Sequence, residues 1–427
     1  MLDARLIRAD PEGTKAALSR RSPEAVHDVD ALLGVDARRR ELLTRVETAR
    51  AERNAAAKEI AEARKRGDDA AKAIAHQAEL KERQAADETA LAMVDGEIEE
   101  LLLRIPNLPH PSAPLGTTEE DAEVLRMHGS PPEFAFEPRD HLDLAGAEGL
   151  GLIETEAAGR VSGSRFHYLL GDLVRLEFAL MQWGLEKLSG KGFMPVIPPV
   201  LVKREAMVGT GFFPEAVQQV YALGTDELFL VGTAEVPLAS MHGGEILAEA
   251  DLPLHYVGFS SCFRREAGAA GKDTRGIFRV HQFDKLELFS YCHPDASWDE
   301  HERLLAIEEE IAQALGFHYQ VVDVAAGDLG ASAARKYDIE VWLPGQGRYR
   351  ELTSCSNCTD YQARRLNTRF RPDGGKPQFV HMLNGTAITS SRTLLALIEY
   401  GQQEDGTVVV PEVLQEYGAP GVIRRPT

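Results

Sequence analysis

The chain has 427 residues, of which 27% are charged and 44% hydrophobic, and its formal net charge is −20. This composition predicts a soluble globular protein that is long enough for two or three domains. No apolar run approaches the roughly 20 residues of a membrane span, and the N-terminus lacks the apolar core of a signal peptide. Four cysteines argue against a disulfide framework, so we expect a cytoplasmic protein in a reducing compartment.

The negative net charge counts against nucleic-acid binding over the whole surface, but the charge is unevenly distributed. Between Arg38 and Arg66 the sequence has ten Lys or Arg residues and five Asp or Glu residues. This local surplus of positive charge limits where a polyanion would bind.

Residues 36–104 predict a helical hairpin. The segment has no proline, and a four-three spacing continues on both sides of Gly67. Two antiparallel helices of roughly 30 residues, joined by a short turn, would reach on the order of 45 Å. The predicted seam positions are Leu42, Val46, Ala49, Arg53, Ala56, Ile60 and Ala63 in the first helix, and Gln77, Leu80, Gln84, Asp87, Leu91, Val94, Ile98 and Leu101 in the second.

Periodicity alone leaves two interpretations of this hairpin open. It is typical of a dimerisation coiled coil or a passive spacer. It also fits a protruding arm whose basic first helix lies along a phosphate backbone.

The segment Ile105–Pro114 contains four prolines in ten residues, which cannot continue a helix. A polar, proline-bearing stretch follows as far as Pro138. We therefore expect a helical domain over residues 1–105, a linker over 106–138 and an α+β domain over 139–427. Two short helices are predicted before the arm, starting at Pro11 and Pro23.

Within the expected α+β domain, Ser260–Ser290 contains the strongest candidate site. Its second half alternates like a strand, with Phe278, Val280, Leu286 and Leu288 on one side and Arg279, His281, Phe283, Lys285 and Glu287 on the other. Ala267–Gly276 predicts a long turn between antiparallel strands. Guanidinium groups bind phosphate or carboxylate through paired hydrogen bonds, so an anion pocket competes here with an ordinary solvated sheet face.

Other segments of the same domain predict structural features. A helix is expected over Phe166–Ser189, and the three prolines of Gly192–Val202 favour an edge or interface strand. Taken alone, Thr233 is a helix cap and Glu235 lies near the positive end of that helix. The chain has one Cys-x-x-Cys pair, at 355 and 358, so these cysteines are interpreted as structural and no structural zinc is expected.

Three motifs resemble those of the class II aminoacyl-tRNA synthetases. FRREAG at 263–268 and TRGIFRVHQFDKLELF at 274–289 are similar to motif 2, in the form found in seryl-tRNA synthetases. Gly192–Val202 resembles motif 1, with Pro199 as its proline. Val380–Glu399 resembles motif 3, in which Arg392 opens a helix. The triplet Thr-Ala-Glu at 233–235 matches the serine-binding triplet of the family.

The resemblance implies an α+β fold, with an antiparallel-sheet class II catalytic domain and an N-terminal antiparallel coiled-coil arm that holds tRNA. It also implies a homodimer formed through motif 1. The expected reaction converts L-serine and ATP to seryl-adenylate and pyrophosphate with Mg²⁺. The serine is then transferred to tRNA(Ser), with tRNA(Sec) as a second acceptor, and no membrane is involved.

The resemblance also assigns residues to roles. The catalytic residues are Arg264, Glu287 and Arg392. Serine is bound by Thr233, Ala234, Glu235, Arg264, Glu287 and Thr386. ATP is bound by Arg264, Arg265, Glu266, Val280, Phe283, Glu351, Leu352, Thr353, Ser354 and Arg392. Mg²⁺ is bound by Glu351 and Ser354. The tRNA is bound by Arg38, Arg45, Arg53, Lys58, Arg64 and Lys65.

Motif 3 departs from the common pattern, with Thr386 in place of serine and with Ala387 and Ser391 in place of glycines. Two rival functions remain: a tRNA-independent ligase that charges a carrier protein, and an inactive synthetase-like regulator. The long basic hairpin argues against the first. The presence of Arg264, Arg279 and Arg392 argues against the second.

Overall fold

The computed structural model describes residues 1–67, 69–267, 273 and 275–426. The chain forms two compact units, Leu2–Pro106 and Asn107–Thr427, the second together with Met1. None of the helices within these ranges has the length and apolar character that a membrane span requires.

The α-helices are α1 (Ala4–Ala9), α2 (Pro11–Leu18), α3 (Pro23–Arg66), α4 (Ala71–Arg104), α5 (His141–Ala145), α6 (Glu156–Ser162), α7 (Asp172–Ser189), α8 (Arg204–Thr210), α9 (Glu235–Ser240), α10 (Ser297–Ala314), α11 (Tyr361–Leu366), α12 (Ser390–Gly401) and α13 (Glu412–Gln415).

The strands are β1 (Glu123–His128), β2 (Ile153–Glu154), β3 (Tyr168–Leu169), β4 (Met194–Val196), β5 (Leu201–Lys203), β6 (Ala222–Leu223), β7 (Leu228–Leu230), β8 (Ile246–Ala248), β9 (Leu254–Phe263), β10 (Gln282–Cys292), β11 (Tyr319–Asp323), β12 (Arg335–Leu343), β13 (Arg348–Asn357), β14 (Arg369–Arg371), β15 (Gln378–Phe379), β16 (His381–Thr389), β17 (Val408–Val409) and β18 (Val422–Ile423).

The N-terminal unit is built on α3 and α4. Helix α3 runs for 44 residues, or about 66 Å at 1.5 Å per residue. The Ser22 side chain caps its first turn, Pro23 occupies its first position, and Gly67 ends it in the left-handed conformation with φ 76°. The prediction of a separate short helix starting at Pro23 is therefore wrong, because no residue between Pro23 and Arg66 is a strong enough helix breaker to end the helix.

The predicted antiparallel hairpin is confirmed. Every predicted seam position is buried or half-buried, including the polar Gln84 and Asp87. Ion pairs cross between the helices with opposite residue order, since Arg39 reaches Asp95 at 2.6 Å and Arg50 reaches Glu88 at 3.6 Å. The four-three spacing thus predicted both the seam and its direction.

The C-terminal unit contains an eight-stranded sheet in the order β1-β11-β12-β13-β16-β10-β9-β4 among the described residues. All neighbouring strands are antiparallel except β4 and β9. Helices α7, α10 and α12 contribute their buried apolar faces to the core that includes this sheet. Edge strand β1 comes from the segment predicted as a linker. The predicted α+β class is confirmed.

Two predicted boundaries differ from the structure. Helix α7 begins at Asp172 rather than Phe166, because Tyr168–Leu169 pairs with β2 and Gly171 has φ 53°. Strand β10 begins at Gln282, so Phe278 and Val280 precede it, although both are buried. Strands β9 and β10 are antiparallel as predicted. Most of the predicted turn between them, at 268–272 and 274, lies outside the described residues.

Candidate active site

Two adjoining cavities lie over the central strands of the sheet. The arginine cavity is lined by Arg264, Glu266, Phe278, Arg279, Val280, Phe283, Lys285, Glu351, Leu352, Thr353, Ser354, Thr386, Thr389, Ser391 and Arg392. The carboxylate cavity, of about 610 Å³, is lined mainly by Thr210, Phe212, Gln219, Thr233, Glu235, Arg264, Lys285, Glu287, Lys336, Glu351, Ser354, Asn384 and Thr386. The residues common to both are Arg264, Lys285, Glu351, Ser354 and Thr386.

A bulge in β13 brings two predicted metal ligands to the same wall. Residues three apart on a regular strand point to opposite faces. Opposite Ile339 and Glu340 of β12, however, β13 has one extra residue, Leu352. The extra residue returns Glu351 and Ser354 to one face, where both line the two cavities.

A second bulge, in β16, shapes the opposite wall. Leu286 pairs with Ile388 while Glu287 pairs with Thr386, which leaves Ala387 as the extra residue. Thr386 lines both cavities. Ala387, one of the predicted departures from the motif 3 pattern, is buried at 1% exposure. The fold therefore accommodates this departure inside the core.

A buried ionic network forms the floor of the carboxylate cavity. Lys285 and Glu287, 4% and 2% exposed, are paired through Nζ and Oε2. The Lys285 ammonium donates a hydrogen bond to Thr233 Oγ1 at 2.6 Å, and that hydroxyl donates to Glu287 Oε2 at 2.9 Å. The two buried charges compensate each other, which fixes the position of the Glu287 carboxylate.

A second carboxylate, Glu235, lies at the same floor. Burial, together with the nearby charge of Glu287, raises its pKa to about 7. Gln362 donates a hydrogen bond from Nε2 to Glu235 Oε1 at 2.7 Å. The floor thus contains two acidic side chains and one ammonium, and it is suited to a ligand that carries a positive charge and a hydroxyl.

Two arginines that line the arginine cavity are each held by neighbouring groups. Arg264 donates from Nε to the Gly232 carbonyl at 3.1 Å, and its guanidinium lies 5.3 Å from the centre of the Phe283 ring. Arg392 donates from Nη1 to the Glu351 carbonyl at 2.9 Å and pairs with its carboxylate at 3.1 Å. Guanidinium groups held this way offer their remaining donors to an anion.

The charge of Arg392 also controls Glu351. Burial by itself would raise the pKa of this carboxyl, but Arg392 and Lys336 together hold it below its usual range. Glu351 is therefore ionised at neutral pH, which is the form that binds a metal ion.

The structure brings most of the predicted serine and ATP residues together. Among them, Ala234 and Arg265 line neither cavity. Ala234 is fully buried, and the backbone nitrogen of Arg265 donates to the Gln219 carbonyl at 2.9 Å. The predicted tRNA residues belong to α3, in the other unit.

The sequence prediction gave no role to two lysines that line the cavities. Lys285 lies between the assigned residues Phe283 and Glu287 at two-residue spacing, which is the signal that identifies it as part of the same strand face. Lys336 pairs with Asp338 at 3.0 Å. No comparable signal marks Lys336, because its position beside Glu351 depends on strand pairing.

The described ranges contain no cluster of three or more His, Cys, Asp or Glu residues placed to hold a metal ion by themselves. Cys355 and Cys358 are both fully buried. Glu351 and Ser354 offer a carboxylate and a hydroxyl oxygen on one wall. This donor set fits Mg²⁺, which commonly binds one or two carboxylates together with waters and substrate phosphates.

Comparison with known proteins identifies the family. Residues 220–400 match the tRNA synthetase class II core domain (G, H, P, S and T), and residues 1–109 match the seryl-tRNA synthetase N-terminal domain. A serine–tRNA ligase of Thermobifida fusca is 50% identical over 422 residues, covering 98% of this chain and 97% of that protein. The chain belongs to the seryl-tRNA synthetase family. It is accordingly a class II aminoacyl-tRNA ligase, as its motifs predicted.

Solved seryl-tRNA synthetase structures agree with this assignment. The enzyme from Pyrococcus horikoshii, complexed with ATP, superposes with a TM-score of 0.96 at 44% identity, and both chains are covered completely. The cytoplasmic enzyme from Naegleria fowleri, in complex with AMP, gives a TM-score of 0.89 at 33% identity over 100% of this chain and 99% of that chain. The predicted class II fold with a helical arm is confirmed.

The raised pKa of Glu235 predicts how stability depends on pH. The folded protein holds this proton more tightly than the unfolded chain does, so the contribution of Glu235 to stability falls as pH rises from about 4.5 to about 7. Glu235→Gln removes that loss. We expect the unfolding free energy of the variant, relative to that of wild type, to increase by on the order of 2–3 kcal/mol as pH rises from 4.5 to 8.

Urea denaturation of both proteins at several pH values measures this difference. Glu412→Gln, at an exposed position in the first turn of α13, is the matched control and should show no such trend. A stability difference between wild type and Glu235→Gln that stays constant across this pH range would contradict the assignment.

Proposed function

We propose that the protein activates L-serine with ATP and transfers it to tRNA(Ser). The observation that carries this proposal is the position of Arg264 between the two cavities, with Arg392 on the arginine side and the Lys285–Glu287 pair on the carboxylate side. An arginine at that boundary can hold the carboxylate of an amino acid and the α-phosphate of ATP together. Attack of one on the other then becomes effectively intramolecular.

In the proposed first step, an oxygen of the serine carboxylate attacks the α-phosphorus of ATP and the bond to the bridging oxygen breaks. The products are seryl-adenylate and pyrophosphate. Arg264 binds the α-phosphate, Arg392 binds the γ-phosphate, and the adenine ring lies against Phe283. The protein supplies position and positive charge rather than a nucleophile, as phosphoryl transfer requires.

The proposed serine-binding site is the floor of the carboxylate cavity. Glu235 and Glu287 bind the ammonium group, and Thr233 and Thr386 lie beside the hydroxyl. Alanine lacks the hydroxyl, so its binding would leave polar groups at this floor without hydrogen-bond partners. A site of this kind rejects such an analogue by about 10⁴–10⁵.

We assign the predicted Mg²⁺ ligands to the wall formed by the β13 bulge. Glu351 and Ser354 would hold the ion, and its remaining positions would be filled by phosphate oxygens and water. When bound, the ion neutralises charge on the phosphates. Arg392 already pairs with Glu351 at 3.1 Å, so this arginine orients the carboxylate.

In the proposed second step, a hydroxyl of the terminal adenosine of tRNA attacks the seryl carbonyl, and AMP leaves. We propose that α3 and α4 form the arm that binds this tRNA. Of the predicted contacts, Arg38 pairs with Glu97 and Arg45 with Asp87. The other four form no ion pair within the described part of the arm: Arg53, Lys58, Arg64 and Lys65. These four are best placed to bind phosphate.

We propose residues 1–105 as the tRNA-binding domain and 139–427 as the catalytic domain; the segment 106–138, predicted as the linker, also supplies edge strand β1 to the eight-stranded sheet. We also propose a homodimer. Its support is the exposure of large apolar side chains on α7 and near motif 1: Phe178 at 71%, Met194 at 61% and Ile197 at 83%. A groove of about 810 Å³ lies beside them, lined by Pro199 among others. Such a surface is typical of an interface.

We further propose that the protein is cytoplasmic and that it also charges tRNA(Sec).

Replacing Arg264 tests the first step. We expect Arg264→Ala to reduce serine-dependent ATP–pyrophosphate exchange by about 10³-fold or more, because it removes the group that joins the two substrates. The fold should be retained, as measured by circular dichroism and thermal unfolding. Arg126→Ala, which removes an ion pair with Glu309 at the outer edge of the sheet, is the control. Exchange at the wild-type rate in Arg264→Ala would refute the assigned role.

Replacing the four unpaired arm residues together by glutamine tests the tRNA-binding role. We expect the KM for tRNA to rise and the salt dependence of charging to weaken by about one unit of slope for each lost phosphate contact. Pyrophosphate exchange should not change, since the substitutions lie in the other unit. Deletion of residues 38–104 should abolish charging and spare exchange.

The matched control replaces exposed Lys72, Lys81 and Arg83 of α4 by glutamine. If this control weakens charging as much as the α3 variant, the tRNA does not lie along α3. Charging that persists at low tRNA concentration after deletion would exclude an arm that binds tRNA.

A further inference from the structure

We propose that Phe278, which lines the arginine cavity, and His141, which is hydrogen-bonded to the neighbouring residue Ile277, are positioning residues for Arg392 and hence for ATP. This inference rests on the proposed function, because it requires Arg392 to bind the triphosphate. The contacts themselves do not depend on that function. A buried hydrogen-bonded latch, formed by Glu399, His141 and the backbone of Ile277, holds the segment before β10. The Phe278 ring on that segment supports the Arg392 guanidinium.

The latch centres on Glu399, which is fully buried on α12. One carboxylate oxygen accepts from the backbone nitrogen of His141 and lies 3.1 Å from His141 Nδ1. The other accepts from the Gly345 backbone nitrogen at 3.0 Å. Both carboxylate oxygens thus have hydrogen-bond donors, as a buried carboxylate needs. Arg392 lies on the same helix, seven residues earlier.

His141 connects Glu399 to the motif 2 segment. Its Nε2 lies 3.1 Å from the backbone nitrogen of Ile277, which can only donate. Nε2 must therefore be the acceptor, and the imidazole proton resides on Nδ1, facing Glu399. The backbone fits closely at this point: a Cβ on Gly276, which has φ 78°, would lie 2.2 Å from His141 Nε2. The latch therefore sets the position of the residue that follows Ile277.

That residue is Phe278, which is 6% exposed. The Arg392 guanidinium carbon lies 4.7 Å from the centre of its ring, and that of Arg350 lies 3.7 Å from it. Arg350 is fixed by Asp273 at 2.7 Å and by Gln346 at 2.8 Å. An aromatic face attracts a guanidinium and restricts its orientation. Arg392 is thus held by Glu351 on one side and supported by the Phe278 ring.

The arrangement closes a loop of contacts from α12, through Glu399, His141, Ile277 and Phe278, back to Arg392 on α12. Loosening any member would leave Arg392 free to adopt other rotamers. The consequence expected in the reaction is weaker ATP binding, with serine binding unchanged, because Glu235 and Glu287 do not take part in this loop.

Substitution of the ring tests the support of Arg392. We expect Phe278→Leu, which keeps an apolar side chain of similar size, to raise the KM for ATP about fivefold and to leave the KM for serine unchanged in pyrophosphate exchange. In an Arg392→Ala background the same substitution should change the KM for ATP less than twofold. Phe317→Leu is the control, because no guanidinium of the described residues lies over that buried ring.

Paired substitutions of His141 test the latch. Asparagine can still donate to Glu399 but is too short to reach Ile277, whereas glutamine can place an amide oxygen near the position of Nε2. We expect His141→Asn to raise the KM for ATP about as much as Phe278→Leu does, and His141→Gln to restore much of the difference. If His141→Asn does not fold, the Phe278 and Arg392 double-mutant cycle decides the proposal alone.

An unchanged KM for ATP in Phe278→Leu, or parallel rises in the KM values for ATP and serine, would overturn the inference. So would equal effects of Phe278→Leu with and without Arg392. A lower kcat with neither KM altered would indicate a purely structural role and would also overturn it. Failure of the unchanged protein to show serine-dependent exchange is a different result, which contradicts the proposed function.

Discussion

The site depends on one costly arrangement, the burial of Lys285 and Glu287 beside each other in the middle of a sheet. Either charge alone would be strongly destabilising in that environment. Here the two charges compensate each other, and both groups form hydrogen bonds with the Thr233 hydroxyl. Because Lys285 also lines the arginine cavity, the same ammonium contributes to the field on both sides of Arg264. The two cavities are therefore electrostatically linked, which suits a reaction that joins an amino acid to a nucleotide.

Local irregularities of the sheet position the other groups. The bulge at Leu352 places Glu351 and Ser354 on one wall, and the bulge at Ala387 places Thr386 opposite Glu287. Bulges break strand pairing, and they are common next to active sites because they change the direction of a side chain without changing the fold. Of the departures of this chain from the predicted motif 3 pattern, Thr386 and Ala387 lie at the second bulge, where the methyl group of Ala387 is accommodated in the core, and Ser391 lies in the first turn of α12.

Much of the fold could be predicted from the sequence because its signals are local. The four-three spacing predicted the seam of the arm, and the alternation around Lys285 predicted the β10 face. Other features depend on distant partners. The start of α7 is set by pairing of Tyr168–Leu169 with β2, and the length of α3 by the absence of a breaker rather than by a positive signal. The motif resemblance, not periodicity, identified Glu235 as a candidate ligand, since a carboxylate in the first turn of a helix is ordinarily structural. Lys336 and the latch at His141 depend on strand pairing and tertiary contacts, which no spacing in the chain encodes.

The most direct test of the central claim is ATP–pyrophosphate exchange by the unchanged protein with serine, alanine and threonine supplied separately. The proposed binding of an ammonium group and a hydroxyl at this floor, in a cavity lined by Thr386, predicts exchange with serine that exceeds exchange with alanine by about 10⁴-fold, and little exchange with threonine. Comparable exchange with alanine would show that no hydroxyl is recognised there. It would contradict the role given to the buried floor.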